Sequence, residues 1–285
     1  MLNSTAISPN EVPSLRIAGF GACMISGYPQ KSGGLFEIAC RSIERRLLRP
    51  VQSRLVSLGG FPAPRAEKYL RKKVFGFNPH YVVLQFGATD AQCPIRARNG
   101  SAKYNSRFDI DPAHAVSHSR TSSLLKFLRW KMGQDQPYNM VSPIRWKIAS
   151  IIGFIRKIEP ITPLPAYLAA IEHMVDDCIA AKSIPVVLSP FVFGSKYTMR
   201  NAILYTNALH ELHLRVPGMV LIDCIRVLAA FPKSMILLND GFHLSGEGHS
   251  QIGEAVGQAI VAHMKNGLMA IGNLAQQLEC CRQME

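Results

Sequence analysis

A cysteine, a histidine and an aspartate occur at positions that could support nucleophilic chemistry. Cys23 lies within the glycine-flanked stretch GACMISG (residues 21–27), and Asp240 precedes His243 by three residues. In nucleophilic catalysis a histidine takes the proton of the nucleophile, while an acidic side chain orients the histidine and stabilises its charge. Cys23 could therefore act as a nucleophile, with His243 as its general base and Asp240 as the orienting partner of His243. The alternative is that Cys23 is an ordinary small, buried side chain.

Short apolar runs that alternate with helical patterns must position these residues. Because strands that alternate with helices form βαβ units, the pattern predicts a parallel sheet of about five strands with helices on both faces. Ligands of such sheets bind at the carboxyl ends of the strands, and Cys23 follows the first run. We expect strands at residues 15–21, 55–58, 81–86, 184–188 and 220–223, and helices at 35–49, 63–74, 167–182, 201–216 and 246–265.

One long segment interrupts the alternation. Residues 93–165 exceed an ordinary connection between a strand and a helix, so we expect an inserted, basic helical cap. Both tryptophans, Trp130 and Trp146, lie in it, and Arg145 and Lys147 flank the second one. A basic amphipathic helix with tryptophan suits a membrane interface, a lid over a site, or a helix packed on the core. These four residues are our candidates for a surface that faces substrate or membrane.

The composition excludes several classes of protein. The chain has 285 residues, of which 48% are hydrophobic, so it can bury a core and is not mainly disordered. No apolar run is long enough to cross a bilayer, and residues 1–15 lack the apolar stretch of a secretory signal. Seven cysteines, an odd number without metal-ligand spacing, indicate a reducing compartment. We predict a single domain over residues 1–285.

Three stretches together resemble the motifs of the SGNH, or GDSL-type, hydrolases. That family opens with G-D-S-[LI]-[ST]-x-G after its first strand, and residues 21–27 match this block with Ala22 at the Asp and Cys23 at the nucleophilic Ser. The family's G-x-N-D block is similar to residues 87–90, and its last block, D-x-x-H, is similar to residues 240–243. The three blocks occur in the family's order, and the resemblance covers most of the chain outside the insertion.

The resemblance implies a flavodoxin-like, three-layer α/β/α fold and an oxyanion hole. In this sequence the donors would be the N–H of Cys23, the N–H of Gly60 and the hydroxyl of Thr89, with Gly59 as an alternative to Gly60. Backbone N–H groups in a turn before a helix stabilise negative charge. Ala22 and Thr89 depart from the family, which has Asp and Asn there. A threonine hydroxyl donates one bond from a shorter side chain than asparagine.

Three polar residues near these motifs have structural interpretations. Asp90 is expected to brace its loop, and Asp223 to cap the turn that follows the last strand. His249 is expected at the surface or at the start of the final helix rather than as a second base.

The leading functional hypothesis is acyl-group chemistry through an acyl-thioester on Cys23. The chain would be an ester or thioester hydrolase or an acyltransferase. The contrasting hypothesis is a catalytically inactive binding or scaffold protein of the same fold, because three signature positions are altered. No metal spacing, P-loop or dinucleotide motif occurs, so neither a metal nor a cofactor is expected.

The charge suggests the kind of partner. Net charge is +13, and residues 41–73 and 91–165 each carry +8. Such zones are either solvated surface or a contact for something anionic. We expect an acyl-bearing small molecule or acyl carrier with anionic groups, and a cytoplasmic location or one peripheral to a membrane. No nucleic-acid-binding motif is present, so nucleic acid is not expected as a partner.

Overall fold

The computed structural model describes most of the chain outside the inserted segment. Its described residues are 14–28, 33–93, 148, 151–191, 195–239 and 241–282, with side chains as far as residue 266. The predicted cap residues Trp130, Arg145, Trp146 and Lys147 therefore lie outside the described residues, and so does Asp240.

A five-stranded parallel sheet forms the centre of the molecule. Its spatial order is β2-β1-β3-β4-β5, and every neighbouring pair is parallel. This is the flavodoxin-like order, in which the chain winds outward in both directions from β1. The prediction of a parallel sheet of about five strands is confirmed. The strands are β1 (Leu15–Gly21), β2 (Val51–Ser57), β3 (Tyr81–Gln85), β4 (Ile184–Leu188) and β5 (Val220–Ile222).

Helices cover both faces of this sheet. One layer contains α1, α6 and α8, and the other contains α2, α3, α4 and α5. Successive β1 residues face opposite layers, as the pleat requires: Ile17 belongs to the first core cluster and Ala18 to the second. The described helices are α1 (Leu35–Leu47), α2 (Ala63–Ala66), α3 (Leu70–Val74), α4 (Leu164–Ala180), α5 (Lys196–Arg215), α6 (Cys224–Ala229), α7 (Lys233–Ile236) and α8 (Gly246–Arg282).

Two glycines of α8 allow this helix to lie directly against α1. A Cβ built at Gly253 would lie 2.7 Å from both the Cβ of Ile38 and the carbonyl oxygen of Leu35. A Cβ at Gly257 would lie 2.7 Å from the Cβ of Ser42. These distances are shorter than side chains tolerate, so the close packing depends on glycine at both positions. The contact fixes the start of α8, which follows His243, relative to the start of α1, which follows Cys23.

Several element boundaries differ from the sequence-based prediction for identifiable reasons. Strand β2 begins at Val51 rather than residue 55, because it is an edge strand whose polar side chains are exposed. The helix expected at 63–74 is broken by a 3-10 turn at Glu67–Tyr69. Helix α5 begins earlier than expected because Ser195 caps it, its hydroxyl accepting from the Thr198 N–H at 3.1 Å.

Intramolecular carboxylates neutralise part of the first basic zone. Arg45 and Arg46 both approach Glu254, at 2.5 and 3.4 Å, and Arg71 lies 2.6 Å from Asp177. These three arginines are thus paired with carboxylates of the same chain. Among the described residues, no helix combines the length and the apolarity needed to cross a membrane.

Candidate active site

The first strand ends in a tight turn that carries Cys23. A 3-10 helix, Cys23–Ser26, follows β1 directly and ends at Gly27, whose φ of 86° lies in the left-handed region that glycine favours. A Cβ at Gly27 would lie 2.6 Å from the Cα of Gly34, so the turn also packs tightly against the start of α1. Cys23 is partly exposed and packs against the core cluster of the α1 and α8 layer. This accessibility argues against the alternative of an ordinary buried cysteine.

Backbone hydrogen bonds fix the turn to both neighbouring strands. The N–H of Ala22 donates to the carbonyl of Gln85 at the end of β3, at 3.0 Å. The N–H of Cys23 donates to the carbonyl of Gly59, in the turn after β2, at 2.8 Å. The candidate nucleophile is thus held where β1, β2 and β3 end, which is the edge at which ligands of such sheets bind.

The predicted oxyanion hole is not assembled in this conformation. The Cys23 N–H, expected to face an oxyanion, instead faces the Gly59 oxygen. Gly59 has a φ of 60°, in the left-handed region, and its carbonyl is directed at the N–H of Cys23. The C=O and N–H of one trans peptide point in opposite directions. The N–H of Gly60, the second predicted donor, therefore points away from Cys23.

The third predicted donor stands on the loop after β3. Thr89 is partly exposed, and within the described part of the chain its hydroxyl makes no hydrogen bond. Its neighbour Asp90 is fully buried and accepts from the N–H of Gly87 at 3.0 Å and from the N–H of Ala63 at 2.9 Å. Burial raises the pKa of Asp90, whereas these hydrogen bonds lower it. The prediction that Asp90 braces its loop is confirmed.

His243 lies on a loop closed by backbone hydrogen bonds. Its carbonyl accepts from the Leu238 N–H at 2.9 Å, and the bridge between Leu237 and Leu244 continues the pairing. Ser245 then caps α8, its hydroxyl accepting from the N–H of Gly248 at 3.1 Å. The loop therefore holds His243 just before a capped helix, as the spacing of the motif predicts. The predicted partner Asp240 lies outside the described residues.

An aromatic contact joins the two loops. The rings of Tyr28 and His243 meet edge to face with centroids 5.5 Å apart, and the N–H of Tyr28 donates to the carbonyl of Cys23 at 3.4 Å. Tyr28 thus links the Cys23 turn to the imidazole. Sequence reasoning missed this residue, although its position directly after the turn glycine Gly27 was the available signal.

His249 occupies one of its two predicted placements. It lies at the start of α8, as expected, but it is fully buried rather than at the surface. Burial and the nearby charge of His243 lower its pKa to about 4. Neither ring nitrogen has a hydrogen-bond partner among the described residues. Of the two predicted placements, the start of the final helix is therefore confirmed.

Asp223 has the capping role predicted for it. Its side chain accepts from the N–H of Arg226 at 3.0 Å at the start of α6, and it also lies 3.1 Å from the ring of His210. Among the described residues, no cluster of histidines, cysteines and acids could hold a metal ion.

The structure resembles solved lipases and esterases. No family model matches the chain, and no curated protein sequence is significantly similar to it. A lipase/acylhydrolase from Enterococcus faecalis superposes with a TM-score of 0.53 at 16% identity, over 88% of this chain and 96% of the other. The lipase Lip_vut3 from a goat rumen metagenome gives 0.57 at 12% identity, over 86% and 97%.

A third solved structure connects this likeness to the sequence motifs. A Desulfitobacterium hafniense protein described as lipolytic and of the G-D-S-L family gives a TM-score of 0.51 at 12% identity, over 86% of this chain and 99% of the other. At identities this low, the similarity of the structures establishes the fold alone. With the sheet order and the positions of its terminal loops, the comparisons show that the chain has the fold of the SGNH, or GDSL-type, hydrolases.

Proposed function

We propose that the protein is an ester or thioester hydrolase or an acyltransferase in which Cys23 is the nucleophile and His243 the general base. One observation supports this most strongly. Cys23, at the position of the family's nucleophilic Ser, is a partly exposed thiol, and Tyr28 contacts both the ring of His243 and the carbonyl of Cys23. The named functions of the structural neighbours, lipases and esterases, are consistent with this chemistry.

The proposed reaction has two halves. The Cys23 sulfur attacks the acyl carbonyl as His243 takes the thiol proton, and a tetrahedral oxyanion forms. The bond to the leaving alcohol or thiol then breaks, the leaving group takes the proton from His243, and an acyl-thioester remains on Cys23. In the second half a water molecule, or another nucleophile, attacks that thioester while His243 takes its proton. The Cys23 sulfur leaves with the electron pair and is reprotonated.

Asp240 and Thr89 complete the proposal with supporting roles. Asp240 would orient the His243 ring and stabilise its positive charge during each proton transfer. The Thr89 hydroxyl would donate to the oxyanion from the loop after β3, where Asp90 holds the backbone in place. Thioesters react more readily with amines than oxygen esters do, so transfer to an amine is proposed alongside hydrolysis.

The second candidate, an inactive protein of the same fold, also has a specific observation in its favour. Ala22 and Thr89 replace two family residues, and the Cys23 N–H is occupied by the Gly59 carbonyl. A binding or scaffold protein would need none of the three donors. An assay of the reaction itself separates the two candidates.

The proposed partner is an acyl-bearing molecule or carrier with anionic groups, or a membrane surface that delivers it. The short described helix of the insertion (residues 151–155) supports an external contact. Ile151 and Ile155, four residues apart on one helix face, are 57% and 72% exposed among the described residues, and Arg156 and Lys157 follow at its end. A cytoplasmic or membrane-peripheral location remains part of this proposal.

Short p-nitrophenyl esters and an acyl-thioester test the function. The purified protein is mixed with each donor and examined by intact mass spectrometry, with Cys23→Ala as the matched variant. The expected result is a mass increase of one acyl group that depends on Cys23 and decays in water or on addition of an amine. No Cys23-dependent adduct with any donor would support the inactive alternative.

A further inference from the structure

We infer that the oxyanion hole is assembled by rotation of a single peptide bond, the one between Gly59 and Gly60. This inference rests on the proposed function. In the structure, the Gly59 carbonyl accepts a hydrogen bond from the Cys23 N–H at 2.8 Å. The conformation of Gly60 then decides whether the site can stabilise a tetrahedral intermediate. Gly60 is a positioning residue, because its backbone allows the peptide to turn, in addition to supplying an N–H donor.

One rotation would change two predicted donors together. The carbonyl of Gly59 and the N–H of Gly60 belong to the same planar unit and point in opposite directions. Turning that plane by about half a revolution moves the carbonyl away from Cys23 and brings the Gly60 N–H toward it. The Cys23 N–H is released in the same movement. Two N–H groups then face the position of the oxyanion, which is the arrangement that acyl transfer requires.

Neither glycine of the turn is closely packed on the side where a side chain would lie. A Cβ built at Gly59 or at Gly60 would meet no heavy atom within 4 Å, and Gly60 is exposed. The neighbouring peptide is held independently, because the Leu58 N–H donates to the carbonyl of Gly21 at 2.8 Å. The turn can therefore change at Gly59 and Gly60 without disturbing the pairing of β2 with β1.

The backbone conformation explains why glycine is needed at position 60. Rotating a peptide plane changes ψ of the residue before it and φ of the residue after it by about the same amount. Gly60 has a negative φ in the structure, since positive values in this turn occur only at Gly59. After half a revolution Gly60 would have a positive φ, which residues with a side chain rarely adopt. An alanine at position 60 would fit the observed state and resist the rotated one.

The test is Gly60→Ala, with Gly76→Ala as its control. Both glycines have open space around the Cβ and a φ that alanine accepts, and Gly76 lies in the 3-10 helix Phe75–Phe77 before β3. Gly60→Ala keeps the backbone N–H, so it removes no donor. Two rates are measured at Cys23: acylation by p-nitrophenyl acetate, which passes through an oxyanion, and alkylation by iodoacetamide, which does not.

We expect Gly60→Ala to slow acylation by about 10²-fold or more, the usual effect of losing oxyanion stabilisation. Alkylation should change less than about two-fold, and the melting temperature should not fall. Gly76→Ala should match the wild type in both rates. Equal acylation rates in Gly60→Ala and the wild type would overturn this inference alone. Failure of the wild type to acylate would overturn the proposed function, and the inference with it.

Discussion

The ring of Tyr28 stands edge-on to the ring of His243, with centroids 5.5 Å apart, while the Tyr28 N–H donates to the carbonyl of Cys23. One residue of the nucleophile turn thereby limits where the imidazole can lie. An aromatic edge-to-face contact contributes about 0.5–1.5 kcal/mol beyond its buried area. The contact is therefore strong enough to bias the orientation of His243 but too weak to hold the loop alone.

Replacing Tyr28 should affect the reaction more than the fold. We expect Tyr28→Ala to lower the acylation rate of Cys23 by about ten-fold, because a 1.4 kcal/mol loss of orientation corresponds to that factor. Tyr28→Phe keeps the ring and should retain the wild-type rate. Stopped-flow release of p-nitrophenol measures both variants. A loss in Tyr28→Phe equal to that in Tyr28→Ala would show that the hydroxyl, not the ring contact, is what matters.

Removing the Asp90 carboxylate should destabilise the fold. In Asp90→Ala the N–H groups of Ala63 and Gly87 lose their acceptor in a buried place. Each of the two unsatisfied groups costs about 1–3 kcal/mol, so we expect the free energy of unfolding to fall by about 2–6 kcal/mol. Urea denaturation followed by circular dichroism measures it. The control is Asp176→Ala, an exposed carboxylate of α4 without an ion pair among the described residues, which should change stability by less than about 0.5 kcal/mol.

Acid should destabilise the protein through His249. Its pKa is lowered from 6.5 to about 4 by burial, so the folded state keeps it neutral where the unfolded state takes up a proton. Its contribution to stability is thus complete above pH 6.5 and is lost as the pH falls toward 4. By linkage the loss amounts to about 3 kcal/mol.

A variant isolates that contribution. His249→Phe should flatten the pH dependence of the unfolding free energy between pH 6.5 and 4. Substitution of the exposed His213 by Gln should leave the slope unchanged. If His249→Phe and the wild type lose stability with the same slope, the acid sensitivity belongs to other groups.

Because α8 contacts α1 through glycine, replacing a glycine of α8 by alanine should lower the stability of the protein rather than raise it. Alanine is normally better than glycine inside a helix by about 1 kcal/mol. Gly257→Ala should nevertheless lower the unfolding free energy by about 1–3 kcal/mol, because its Cβ would meet Ser42 at 2.7 Å. Gly76→Ala, where the Cβ meets nothing within 4 Å, should be neutral or slightly stabilising. A stabilised Gly257→Ala protein would show that the helices separate easily.

The pattern of apolar runs was sufficient to predict the parallel sheet and the position of Cys23 after its first strand. The apolar runs of β1, β3 and β4 are buried on both faces, so hydrophobicity marks them directly. Edge strand β2 was predicted too short because its side chains face solvent and its stability comes from backbone pairing with β1.

The finer parts of the site depend on backbone direction, which side-chain patterns do not encode. The motif identified Gly59 and Gly60 as donor candidates, but the direction of their shared peptide is set by ψ of Gly59 and φ of Gly60, and in the structure it puts the Gly59 carbonyl on the N–H of Cys23. The burial of His249 is a similar case, because a polar residue after a glycine is typical of an exposed position and the sequence pattern does not mark it as buried.

The most direct test of the central claim locates the acyl group on the chain. Wild-type protein, Cys23→Ala and His243→Ala are each treated with p-nitrophenyl acetate, quenched and mapped by peptide mass spectrometry. We predict a single acetylated peptide containing Cys23, none in Cys23→Ala, and a rate about 10²–10⁴-fold lower in His243→Ala, the usual contribution of general base catalysis. Acetylation of another residue, or an unchanged rate in His243→Ala, would contradict the assignment of Cys23 and His243 as nucleophile and base.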